Sequence, residues 1–154
     1  MSKFEGKWNY QSYRPEPGSV ATGSTPPTFV PWSQLGEVTV DTGGTTGKLV
    51  FPGIPPKVPP ITLDLKFQRT DGSPEGLHIW AVLNLPNGKQ FTNELQGWFV
   101  PATLKLGEAV DENTPLVVRG TIVQTSEDIA PVPQPIFTTG FFVLEPLPRR
   151  DEAR

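Results

Sequence analysis

The chain has 154 residues with no Cys, 19 Pro and 15 Gly, and its 13 basic and 16 acidic side chains leave a net charge of −3. That balance, with Arg149-Arg150 as the longest basic run, argues against a phosphate-binding surface and so against nucleic acid as a partner. The absence of Cys removes disulfides, thiolate chemistry and cysteine metal sites, while nine Phe, four Trp and two Tyr are enough to build a core. The length suits one domain, read as 1–148 with a Pro-rich loop at 15–32, followed by a charged tail at 149–154. Met1-Ser2-Lys3-Phe4-Glu5-Gly6 has no apolar h-region, and no apolar run reaches the roughly 18 residues of a membrane span. The expectation is a cytoplasmic protein with no membrane partner.

Pro and Gly both interrupt helix interiors, and the longest stretch free of them, Ile61 to Asp71, is eleven residues. Within it Ile61, Leu63, Leu65 and Phe67 alternate with Thr62, Asp64, Lys66 and Gln68, the period of a strand. The same test along the chain predicts eight strands: Phe4 to Arg14, Glu37 to Thr42, Thr46 to Phe51, Ile61 to Thr70, Leu77 to Leu85, Gln90 to Val100, Leu116 to Thr125 and Phe137 to Glu145.

Two hairpins set registers. Thr42-Gly43-Gly44-Thr45 reads as a two-residue loop, placing Val40 opposite Gly47 and Val38 opposite Leu49. At Leu85-Pro86-Asn87-Gly88-Lys89, a two-residue Asn-Gly turn would mix core and polar faces. A three-residue loop with Gly88 as bulge instead pairs Leu83 with Phe91, Ala81 with Asn93 and Ile79 with Leu95. The opposite face then carries His78 with Gln96 and Trp80 with Glu94.

Eight antiparallel strands in sequence form a sandwich or an up-and-down barrel. Only 52–60, 102–115 and 126–136 are long enough for Greek-key crossovers, so the predicted fold is all-β, an eight-stranded antiparallel up-and-down β-barrel whose interior suits one small ligand. The opening Phe4-Glu5-Gly6-Lys7-Trp8-Asn9-Tyr10 resembles the first strand of the calycins (lipocalins, fatty-acid-binding proteins and avidins), whose shared signature is Gly-x-Trp. Thr92 to Val100 and Thr139-Gly140-Phe141-Phe142 are loosely similar to late avidin strands. The resemblance implies a ligand-holding lumen. It also carries departures: Tyr10 stands where avidins place a biotin-binding asparagine, and Phe142 where they place an aspartate. The arginine that lipocalins stack on the signature Trp would correspond to Arg149.

If Trp8 faces inward, alternation sends Tyr10, Ser12 and Arg14 the same way, an aromatic wall with a hydroxyl and a cation. The alternative for Trp8 is a structural plug at the barrel floor. Asn93 is the polar member of the face Phe91, Leu95, Gly97 and Phe99, and a buried amide must find a partner, either internal or a ligand. Gly97 on that face leaves room for a cavity or marks a strand bend. The ligand-binding candidates are Trp8, Tyr10, Ser12, Arg14, Phe67, Asn93 and Leu95. His78, Trp80 and Trp98 fall on the outer face, and Arg119 needs a partner such as Glu145 if it is buried. One His without Cys cannot build an ordinary zinc site, and no cofactor motif or recognisable reaction chemistry occurs, so catalytic residues stay unassigned.

The leading functional expectation is binding of a small apolar or aromatic molecule in the lumen, without cofactor or metal. Two alternatives stand beside it: a cofactor-independent isomerase or cyclase using the same lumen, with Tyr10 or Arg14 polarising a carbonyl, and a protein or carbohydrate interaction module using Trp80 and Trp98. Barrels with apolar outer positions often pair, so a homo-oligomer is allowed.

Overall fold

The computed structural model describes residues 4–16, 28–31, 33–54, 56–86, 88–124 and 139–147. Nine strands run in chain order: β1 Gly6–Pro15, β2 Phe29–Pro31, β3 Gly36–Val40, β4 Thr46–Phe51, β5 Ile61–Thr70, β6 Gly76–Asn84, β7 Gln90–Pro101, β8 Leu116–Gln124 and β9 Thr139–Pro146. Strands β3 to β9 pair antiparallel in sequence, and β1 pairs with both β3 and β9, closing an eight-stranded up-and-down barrel. Closure satisfies the backbone groups that an open sheet would leave at its two edges. The Pro-rich stretch at 52–60 and the segment at 102–115 therefore join neighbouring strands rather than crossing between sheets. Most of the Pro-rich loop at 15–32, the segment at 126–136 and the tail at 149–154, with Arg149, lie outside the described residues.

Both hairpin registers come out as predicted. Val38 faces Leu49 and Val40 faces Gly47, while Ile79, Ala81 and Leu83 face Leu95, Asn93 and Phe91. In the second hairpin the Leu85 N–H donates to Lys89 O at 2.9 Å, and Gly88, at φ 79°, donates to Leu85 O at 3.1 Å, as a three-residue loop requires. The first turn differs in detail. Asp41 N–H donates to Thr46 O and Gly44 N–H to Asp41 O, both at 2.9 Å, so 42–45 form a four-residue loop with the register unchanged.

Two elements depart from the predicted strands. β1 starts at Gly6 rather than Phe4, because Gly6 at φ 108° turns the preceding chain across the barrel end. The short β2 is an extra strand, paired to β1 through Tyr13 with Pro31 and Pro15 with Phe29. Since Tyr10 faces Gly36 and Tyr13 faces Pro31, Gln11 and Ser12 have no register partner on this side, and the described residues 33–35 bulge from the ladder opposite them.

The inward positions are filled unevenly along the axis. At the end where β1 begins, Phe4 packs edge-on to Phe67 at 4.9 Å and Phe99 at 5.7 Å, and tilted against Trp8 at 5.5 Å. Trp8 Nε1–H donates to Phe4 O at 3.0 Å, which ties the crossing chain to the first strand. Just above, Gly97 and Gly120 face each other across β7 and β8, and the fully buried Phe142 lies against them. The space left by Gly97 is thus occupied by Phe142. A methyl on Gly120 would clash with Gln96 O and Gly97 Cα, both backbone atoms that cannot rotate away. Gly120→Ala is therefore expected to lower unfolding free energy by about 3 kcal/mol through overpacking, read as a lower denaturant midpoint. A loss below about 0.5 kcal/mol, the size of a neutral surface change, would contradict this close approach.

Candidate functional site

Above the aromatic cluster the barrel is hollow. A cavity of about 230 Å³ occupies the half of the lumen nearest Phe51, Ile61, Leu83 and Phe91. Its wall is built from alternate residues of successive strands: Val38 and Leu49, then Leu63 and Leu65, then Ile79 and Ala81, with Leu95, Ile122 and Leu144 completing the ring. Phe51, Leu83 and Phe91 are half-buried and Ile61 is exposed, so these four form the rim of the opening. Among the described residues the lining carries no charged side chain; its polar members are Tyr10, Ser12, Ser33 and Asn93.

Three of these form one polar patch. Opposite the bulge at 33–35 the Ser12 N–H lacks a strand partner, and it donates instead to Ser33 Oγ at 3.2 Å. The Ser12 hydroxyl donates to the same oxygen at 2.9 Å, and Gln11 Nε2 anchors the segment by donating to Ser33 O at 2.5 Å. The Tyr10 ring lies against Phe142 at 6.0 to 6.3 Å from its aromatic neighbours, stacked on Phe142 and edge-on to Phe51. Burial pushes the Tyr10 phenol up from 10.0 to about 12, with a side-chain hydrogen bond to Ser12 offsetting part of that rise. At neutral pH it is an uncharged hydroxyl.

Asn93, on β7, is the fourth polar group and is 7% exposed. Its amide makes no hydrogen bond to another described residue, yet no side-chain polar atom among them is sealed away without a partner. The amide must therefore meet the cavity space itself. Among the described residues this is the one buried polar side chain of the lumen whose hydrogen-bonding capacity no described residue uses.

Of the residues singled out from the sequence, Tyr10, Ser12, Asn93 and Leu95 line the cavity. Trp8 and Phe67 belong to the aromatic cluster that closes the opposite end. Arg14 lies past the rim, exposed, with Val30 of β2 as its strand partner. Ser33, Ala81 and Phe51 are cavity residues without a sequence signal of function, although pairing of Ala81 with Asn93 follows from the hairpin. On the outer face His78 stacks on Trp80 at 4.0 Å, and its Nε2 lies 3.7 Å from Glu94 Oε2 by a diagonal approach. Trp98 is exposed, and Arg119 is also exposed, donating from Nη2 to Ala102 O at 3.1 Å. A larger concavity of about 510 Å³ lies outside the barrel among Tyr13, Arg119, Phe141 and Glu145. Its charged members, Arg119 and Glu145, are exposed, whereas Tyr10, Ser12 and Asn93 of the lumen are buried. Among the described residues no His, Cys, Asp or Glu cluster could hold a metal ion.

Compared with protein families, curated proteins and solved structures, the chain finds no match.

Two outcomes follow from the polar groups. A phenol held protonated in the fold stabilises fully below pH 10, and that contribution is lost as pH rises toward 12 because the unfolded chain ionises first. Wild-type stability measured against Tyr10→Phe should fall by about 2 to 3 kcal/mol across that window; a flat difference would contradict the buried phenol. Asn93→Leu should raise the stability of the ligand-free protein by about 1 kcal/mol, since an unused buried amide is replaced by hydrocarbon. A loss of similar size in the denaturant midpoint would mean that the amide has an internal partner.

Proposed function

We propose that the protein is a calycin-like binding barrel that holds a small apolar or aromatic molecule in the open half of its lumen. The observation that carries this reading is Asn93, a buried amide unpartnered among the described residues and facing an otherwise apolar cavity. Ligand sites are mostly apolar concavities with a few polar groups that orient the guest, and the Tyr10, Ser12 and Ser33 hydroxyls with the Asn93 amide fit that description. Among the described residues the lining has no carboxylate, imidazole or ammonium that could move a proton at neutral pH, which favours binding over reaction in this lumen.

The test uses 2-naphthol as probe and titration calorimetry as readout. The wild-type protein should bind it saturably with a stoichiometry of one. Ala81→Phe, which projects a ring from β6 into the cavity, should abolish binding while the melting temperature stays within a few degrees, since the ring enters vacant space. Binding that persists unchanged in Ala81→Phe would place the site elsewhere, and absence of binding to the wild type would remove the reading.

A further inference from the structure

The lumen also limits the chemistry of its guest. A charge moved into a space lined by hydrocarbon and four neutral polar groups loses its hydration without an ionic partner to replace it. Arg14, the cation that strand alternation would send toward the lumen, is exposed beyond the rim and is absent from the lining, so a carboxylate finds no counter-charge there among the described residues.

The polar groups are complementary to a neutral oxygen. Ser33 Oγ accepts from both the N–H and the hydroxyl of Ser12, so its two lone pairs are engaged and its own proton remains to be donated. The Asn93 amide adds two N–H donors and a carbonyl acceptor that no described residue engages. A ketone, phenol or alcohol can use these groups, whereas an oxygen-free hydrocarbon leaves them unpaired.

Volume sets the size. An apolar cavity of about 150 Å³ holds benzene, and in the same proportion the 230 Å³ here takes about nine or ten non-hydrogen atoms, with the open rim at Phe51, Ile61, Leu83 and Phe91 admitting a few more. A long-chain fatty acid, with about twenty non-hydrogen atoms, exceeds this about two-fold.

We infer that the cavity, on the binding reading proposed above, selects an uncharged one- or two-ring molecule carrying a single hydrogen-bonding oxygen that contacts Ser33 and Asn93, and that it rejects the carboxylate of the same skeleton. Three probes on one skeleton test this by titration calorimetry at pH 7: naphthalene, 2-naphthol and 2-naphthoate. The expected order is 2-naphthol first, naphthalene about ten-fold weaker, and 2-naphthoate about 100-fold weaker or undetected. Ser33→Ala and Asn93→Leu should each weaken 2-naphthol about five-fold or more and leave naphthalene within about two-fold. If 2-naphthoate binds as tightly as 2-naphthol, the charge selection is overturned while the binding barrel stands. If both variants leave 2-naphthol unaffected, the assignment of its oxygen to Ser33 and Asn93 is overturned. If none of the three probes binds, the binding reading itself fails and this inference falls with it.

Discussion

Closing eight strands into a cylinder sets a radius, and the radius sets how much volume the inward side chains must occupy. Alternation supplies one inward residue for every two along each strand, so whether a given level is solid depends on the size of those residues. Here the bulky ones gather at one end. Phe4, Trp8, Phe67 and Phe99 interlock there, with Phe142 against the paired glycines above them. The other half is lined by residues such as Val38, Leu63, Ala81 and Leu95, whose side chains do not meet across the lumen. Closure without filling leaves the cavity.

The aromatic end and the hollow end depend on each other. Burial of a Phe side chain contributes about 2 to 3 kcal/mol, and each T-shaped or tilted ring pair adds about 1 kcal/mol. A dense cluster of four rings can thus stabilise a barrel whose other half forgoes such contacts. Gly6 is the local device that makes the cluster possible, because its positive φ turns the chain inward and lets Phe4 lie across the closed end, where its carbonyl receives the Trp8 indole N–H. The Gly-x-Trp pattern at the start of β1 therefore has a mechanical meaning in this molecule: the glycine makes the turn, and the tryptophan holds the plug.

Much of this architecture was legible because strands announce themselves locally. A period of two, the Asn-Gly loop and the absence of any long stretch without Pro or Gly determine strand identity, register and inward faces, and Asn93 stood out as the polar residue on an apolar face. Height along the barrel was not legible. Trp8, Tyr10, Ser12 and Arg14 alternate identically in sequence, yet the first lies in the floor, the next two in the cavity wall and the last beyond the rim. That difference depends on the stagger between strands, to which a single strand's pattern is blind. Ser33 carried no signal because it sits in a Pro-rich connection, and its role arises only from the bulge opposite Ser12, a long-range mismatch of lengths between β1 and the strands paired with it.

The rim-side half of the lumen is empty apolar space rather than packed protein. Diffraction from crystals pressurised with xenon tests it most directly, since the gas enters apolar voids without needing any specific contact. Xenon density is expected inside the barrel among Leu63, Ile79, Ala81 and Leu95. A lumen without xenon, with side chains meeting across that level, would contradict it.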